Sequence, residues 1–367
     1  MRFLWLGTYE AEYPRGAVLR QGLRALGHDV VECHEPLWER TRHKAGGFLA
    51  PASLARSGAA AARAWALLAR RERRVGPVDA VVVGYPAQPD LPLGRLVARR
   101  RRVPLVADMM IALGDTLAGD RGRVGVVGGR VLTAVDRLAR GAQVVMADTR
   151  ANADWMVAHL GVDPRRTVVV PVGAEPALFP PAAVPSPADA PVSAVFIGKL
   201  APLHGLPTVL EAAAVPGAPP VTVVGDGQLM SWLRGRLDAG APGVTHVPWI
   251  PYRDLGAEIA RHHIALGVFG TSDKAGRVVP NKVWQAMSVG RPVVTADTPG
   301  AREVLRDGEN ALLVPPADVP ALAAALTRLA TDAGLRARMG TEARATYARL
   351  GTPEAVAARL VAAVEAA

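Results

Sequence analysis

The chain has 367 residues, half of them apolar and 21% charged, the composition of a soluble globular protein long enough for two separate cores. Its formal charge of +10 comes from arginine, because only Lys44, Lys199, Lys274 and Lys282 are lysines. A single cysteine, Cys33, excludes an internal disulfide or a cysteine-held metal cluster and suits a reducing compartment, and no apolar run reaches the ~18 residues of a membrane span.

The opening MRFLWLGTYE reads as a strand and turn rather than a leader peptide, so a cytoplasmic location is expected. Phe3 to Gly7 is predicted as a buried strand, Ala17 to Leu26 as a helix and Val30 to Cys33 as a second strand, the start of a parallel sheet. Residues 40–47 are polar and loop-like. A long helix, Ser53 to Arg74, then leads to the strand Val78 to Gly84. The helix Leu93 to Arg102 is followed by the strand Pro104 to Asp108, and the helix Val126 to Arg140 by the strand Val144 to Ala147. Asn152 to Leu160 is helical, and Thr167 to Val170 closes the first half.

PPAAVPSPADAP, from Pro180 to Pro191, is a proline-rich linker. Beyond it the alternation restarts: strands at Ser193 to Gly198, Val221 to Gly225 and Val244 to Val247, with helices at Leu206 to Ala214, Gln228 to Asp238 and Tyr252 to Arg261. An apolar run, Ile264 to Phe269, ends in a polar loop. The helix after it opens with Pro280-Asn281-Lys282 and stops at Gly290, and a strand runs from Pro292 to Thr295. Helices at Pro320 to Leu329, Leu335 to Leu350 and Pro353 to Ala367 complete the chain. Strand–helix alternation on both sides of a linker predicts two doubly wound α/β domains, residues 1–180 and 192–352.

In such sheets ligands lie outside the carboxyl ends of the strands. In the second half those loops carry Gly198-Lys199, Gly225-Asp226-Gly227, Trp249-Ile250, Gly270 to Arg277, and Thr298 to Glu303. Glycines for close approach, cations and one acid suit a nucleoside diphosphate. A helix start with free N–H groups, such as that at Lys282, favours a phosphate; the same segment also fits an ordinary α/β unit with a solvated lysine. In the first half the loops carry Thr8, Tyr9, Tyr85, Asp108 and Asp115. Asp108 ends an apolar strand, where a carboxylate is costly unless functional or capping.

His28, His262 and His263 read as structural, and no histidine or carboxylate set has metal spacing. A P-loop, a nucleophile elbow and a nucleic-acid motif are all missing. The arginine runs at Arg70 to Arg74 and Arg99 to Arg102 fit solvated helix ends, with contact to anionic lipid as the alternative.

Four ordered segments, FIGKLAPLHG, VVGDGQ, RVVPNKVWQAMSVGRPVV and TPGAREVLRDGENALLVPP, resemble those of the bacterial family 4-type glycosyltransferases. These are two-domain enzymes of the GT-B fold that use nucleotide-sugar donors. The resemblance spans nearly the whole chain. It implies retaining transfer without a bound metal or other cofactor, onto a carbohydrate, lipid-linked or small-molecule acceptor. Lys199 and Lys282 would stabilise the leaving diphosphate, with Asp108 as the third catalytic candidate.

Two departures stand out. His204 replaces the family's lysine before Gly205, and Arg277 and Gln285 replace its two glutamates. Gln285 could still hold ribose hydroxyls; Arg277 cannot act as an acid and is expected to meet a phosphate or an acidic donor group. Gly198, Asn281, Trp249, Ile250 and Glu303 complete the implied donor site, and Thr8, Tyr9, Asp108 and Asp115 the acceptor side. The last helix, 353–367, would cross back onto the first domain. A nucleotide-sugar epimerase and a catalytically weak nucleotide-sugar-binding partner subunit are the alternatives.

Overall fold

A computed structural model describes residues 1–37, 51–120, 125–183, 185 and 191–367, with the side chains of 51–57 and 118–120 excepted. The polar stretch at 40–47, with Lys44, and residues 184 and 186–190 of the linker lie outside the described residues.

Two six-stranded parallel sheets carry the chain. The first contains β1 (Arg2–Gly7), β2 (Asp29–His34), β3 (Ala80–Val83), β4 (Leu105–Asp108), β5 (Val144–Ala147) and β6 (Thr167–Val169), in the order β2-β1-β3-β4-β5-β6. The second contains β7 (Ala194–Ile197), β8 (Val221–Val224), β9 (Val244–Val247), β10 (Ile264–Leu266), β11 (Val293–Ala296) and β12 (Ala311–Val314), in the order β12-β11-β10-β7-β8-β9. Most strands are short runs of Val, Ile, Leu and Ala buried on both faces, as a parallel sheet covered by helices requires. Together they form the two doubly wound domains of a GT-B fold. Strand order reverses between β1 and β3 in one sheet and between β7 and β10 in the other, and a crevice opens at each such switch point.

Around the first sheet pack α1 (Pro14–Ala25), α2 (Pro51–Glu72), α3 (Leu91–Arg101), α4 (Val126–Asp136) and α5 (Arg150–Trp155). Around the second pack α6 (Leu206–Ala213), α7 (Met230–Asp238), α8 (Leu255–Arg261), α9 (Asp273–Arg277), α10 (Asn281–Val289), α11 (Pro299–Arg302), α12 (Val319–Thr331) and α13 (Ala333–Leu350). The last helix, α14 (Pro353–Glu365), leaves the second domain and buries Val356, Ala357, Leu360 and Val364 against Phe3, Val18, Leu19 and Leu23. Gly22 of α1 lets the backbones touch there, because a Cβ would collide with the carbonyl of Pro353.

Periodicity missed three short elements. The loop expected at Gly270 to Arg277 contains α9, capped by the Ser272 hydroxyl, which accepts from the Ala275 N–H at 3.2 Å. The turn at Pro299-Gly300 starts α11, capped likewise by Thr298. β12 is too short, and too embedded among turn residues, to show a period.

The expected helix 126–140 stops at Asp136 and ends in a 3-10 turn, Arg137–Gly141. No helix among the described residues is long and apolar enough to cross a membrane.

Candidate nucleotide-sugar site

β7 delivers Gly198 to the switch point of the second sheet, where the backbone is folded tightly. Gly198 adopts φ +155° and Gly225 φ +131°. A Cβ on Gly225 would collide with the Gly198 carbonyl oxygen, and one on Gly227 would lie 2.7 Å from the Leu200 nitrogen. The Leu200 N–H donates to the Asp226 carbonyl at 3.1 Å, and the Leu229 N–H to the Leu200 carbonyl at 2.9 Å. The two glycine loops are therefore one unit, with the Lys199 and Asp226 side chains exposed at its rim. On the other side Gly205, at φ +68°, abuts Phe269, and the Gly270 N–H donates to the Leu203 carbonyl at 3.2 Å. Loops after β7, β8 and β10 thus meet around Gly198.

α10 starts beside this unit with Pro280 as its N-cap and no side chain capping it. Lys282, in its first turn, is 8% exposed, and its ammonium has no hydrogen-bond partner among the described residues. Its Nζ lies 3.6 Å from the centroid of the Phe196 ring of β7 and 3.7 Å from the Cβ position of Gly198. The His204 ring approaches that same position to 3.0 Å and sits edge-on to Phe196. Burial alone pushes the Lys282 pKa well below a lysine's ordinary value. The ring quadrupole offsets part of the cost of burying the charge, and an anion placed against it would offset far more.

Arg277, Lys274 and Glu303 reach across to the first domain. Arg277 is 6% exposed; its Nη2 donates to Asp115 at 2.8 Å, its Nη1 to Asp273, and its guanidinium stacks 4.5 Å from the Trp155 ring centroid. Its carbonyl accepts from the Thr149 hydroxyl, and the neighbouring Lys274 ammonium donates to the Thr116 hydroxyl. Arg277, expected to meet a phosphate, thus joins an interdomain clasp through both Nη groups, while its Nε is buried without a partner among the described residues. Asp115, expected near the acceptor, belongs to the same clasp.

Glu303, expected at the donor, accepts instead from the Arg150 and Ala151 N–H groups at 2.6 and 2.8 Å and caps α5 of the first domain. Asn281 is half-buried at the start of α10 and Gln285 is 4% exposed; the Tyr252 hydroxyl donates to Glu175 at 3.2 Å. Trp249 stands 73% exposed beyond β9, with Ile250 half-buried beside it.

On the acceptor side, Thr8, Tyr9 and Asp108 are placed inside the first domain, each at most 1% exposed. The Thr8 N–H and hydroxyl both donate to Asp90, at 2.6 and 2.9 Å, and the Tyr9 hydroxyl donates to Glu32 at 3.0 Å. Asp108 pairs with Arg15 at 2.7 Å, a side chain that is itself fully buried. Desolvation raises the Asp108 pKa and the Arg15 charge opposes the rise. A carboxylate enclosed this way organises the strand ends; removing Arg15 would leave it unpaired, at a cost of about 3–5 kcal/mol.

Sequence reasoning missed Asp148, two residues before α5. Its Oδ1 accepts from Asn152 at 2.7 Å, and desolvation raises its pKa to about 6 against the pull of Arg15. The signal was available, because Asp148 follows the apolar strand β5 as Asp108 ends β4. Phe196 beneath Lys282 had no such signal.

Three arginines of the two runs are ion-paired, while Arg70, Arg73, Arg74, Arg99 and Arg102 stay exposed. Arg100 and Arg101 flank the buried Glu72, and Arg71 pairs with Glu35 at 2.9 Å. Burial raises the Cys33 thiol to about 11, so it is not a reactive thiolate.

Two doubly wound domains, a glycine-lined switch point and a buried cation define a protein of the GT-B fold. Residues 16–173 match the model described as "Glycosyl transferase 4-like domain", and 191–332 that described as "Glycosyl transferases group 1". The chain is 31% identical over 290 residues to the D-inositol 3-phosphate glycosyltransferase of Xylanimonas cellulosilytica, covering 73% of this chain and 67% of that protein. It is 28% identical over 299 residues to the protein of the same name from Streptomyces bingchenggensis, covering 72% and 62%. Among solved structures, Anabaena Alr3699/HepE in complex with UDP superposes with a TM-score of 0.66 at 16% identity, over 100% of this chain and 99% of that one. The chain belongs to the group 1, family 4-type glycosyltransferases.

Proposed function

We propose that this chain transfers a sugar from a UDP- or GDP-sugar to a hydroxyl acceptor, with retention and without a bound metal. The observation that carries the reading is Lys282: a buried ammonium with no partner among the described residues, at the start of α10 and against Gly198. As the bond from the sugar's anomeric carbon to the diphosphate breaks, negative charge develops on the departing phosphate oxygens. Lys282, the rim lysine Lys199 and the first amides of α10 supply positive charge where those oxygens would lie. Charge-assisted bonds of this kind lower such a barrier by several kcal/mol in a water-poor site.

The clasp of Arg277, Lys274 and Glu303 supports catalysis in the closed arrangement, with donor and acceptor held between the sheets. UDP in the Anabaena protein supports a nucleotide donor. The two named relatives make D-inositol 3-phosphate the first acceptor to try, beside polysaccharide, glycolipid and small-molecule hydroxyls.

Incubation with a panel of UDP- and GDP-sugars and these acceptors, read by mass spectrometry and by the product's anomeric coupling, tests the reading. The expected result is a glycoside of the donor's configuration, formed equally well with chelator present. An inverted product or loss of turnover on chelation would overturn the mechanism, and an isomerised nucleotide sugar would identify an epimerase.

A further inference from the structure

The helix α4 leaves much of its apolar surface uncovered for a surface helix. A helix on a soluble domain turns its apolar stripe inward and its polar side outward. Here the side facing solvent carries Val127 and Val131, 76% and 59% exposed, with Val126 at 75% beside them and Leu138, 42% exposed, in the 3-10 turn that follows. The charged residue that faces inward is Asp136, fully buried, whose carboxylate accepts from the Leu113 and Gly114 N–H groups at 2.8 Å each. Those bonds pin the helix orientation, so the apolar side cannot roll inward. Nearby, α3 packs on the 3-10 turn Arg137–Gly141, with the Arg95 guanidinium 3.1 Å from the Cβ position of Gly141. α3 adds Leu96, 63% exposed. Of the eight large apolar residues exposed among the described residues, five therefore lie on this one side of the first domain, a concentration that marks a contact surface.

Every charge interleaved with them is positive. Arg130, Arg137 and Arg140 are exposed along the α4 segment and Arg95 and Arg99 along α3; neither 91–102 nor 125–141 contains an exposed acidic residue. We infer that this face seats the first domain on an anionic lipid bilayer, with the valines and leucines at the acyl boundary and the arginines among the headgroups. A second copy is the poorer occupant, since it would set this all-positive face against a chain of charge +10. The face shares Arg99 with the second arginine run named from the sequence, whose Arg100 and Arg101 are held by Glu72. It also flanks the cleft: Gly114, pinned by α4, precedes Asp115 of the interdomain clasp. A lipid surface held there presents headgroup hydroxyls to the acceptor side.

Vesicle co-sedimentation of the full chain tests this without reference to transfer. Vesicles of phosphatidylglycerol and phosphatidylcholine in equal parts should bind the protein, and phosphatidylcholine alone should not. The double variant Val127→Asp/Val131→Asp should lower the partition coefficient about tenfold or more, while Leu26→Asp, at the exposed C-cap of α1, should leave it unchanged. The exposed positions make misfolding a minor concern, and unchanged circular dichroism checks it. Absence of binding to the anionic vesicles, or equal binding by the double variant, would overturn the inference. So would a dimer in solution that the double variant dissociates, which would assign the face to a second copy.

Discussion

The ammonium of Lys282 rests 3.6 Å from the centre of the Phe196 ring, joining the helix that follows β10 to the strand β7 across the switch point of the second sheet. Nothing else among the described residues compensates its charge. Lys282→Met should therefore act in opposite directions on stability and function. Removing a buried unpaired charge for an apolar side chain of similar length is neutral or stabilising, by up to about 4 kcal/mol. Loss of the charge facing the leaving diphosphate should lower kcat by about 10²–10³. Urea unfolding and turnover on the same preparation check both; a variant that is less stable and still active would remove Lys282 from the site.

The Gly198–Gly225 contact makes a second outcome specific. Gly225→Ala places a Cβ on the Gly198 carbonyl at a backbone φ of +131°, so the two loops must separate. Nucleotide affinity should fall at least about tenfold, and stability by about 1–3 kcal/mol. Titration calorimetry with UDP and GDP measures the first and denaturant midpoints the second.

Arg277 and Asp115 belong to different domains and are both largely buried. A double-mutant cycle with Arg277→Met and Asp115→Asn should give a coupling of about 1–3 kcal/mol in unfolding free energy. Asp115→Asn should also raise the KM for the donor more than it lowers kcat, since it weakens closure without touching Lys282. Small-angle scattering should show a more open molecule.

Asp148 sets a pH dependence. Its folded pKa, about 6, lies above the ordinary 3.8 because burial disfavours the charged form. The folded state therefore holds the proton more tightly than the unfolded one. Its contribution is neutral below pH 4 and grows more unfavourable as pH rises toward about 6, reaching roughly 3 kcal/mol. Asp148→Asn should flatten this decline between pH 4 and pH 6, as read from urea midpoints across that range.

How far the sequence carried is clear from particular residues. Apolar runs such as Val81 to Val83 and Val293 to Val294 can only be buried strands of a parallel sheet, and helix-length segments between them force the doubly wound class. The glycines at 198, 225 and 227 announced close backbone approach, which the structure shows as contact between two loops. Short capped helices such as α9 and α11 escaped because one turn has no period, and they carry the interdomain contacts.

Sequence alone determined the two α/β domains, the glycine loops and the lysine at a helix start, because periodicity, turn chemistry and helix polarity are local properties of the chain. Only the tertiary structure decided which polar groups are already spent. Thr8 belongs to Asp90, Asp108 to Arg15, and Glu303 to the start of α5, while Lys282 is left without a partner among the described residues. All three pairings join residues more than 80 positions apart. No local pattern encodes a distance that only packing sets.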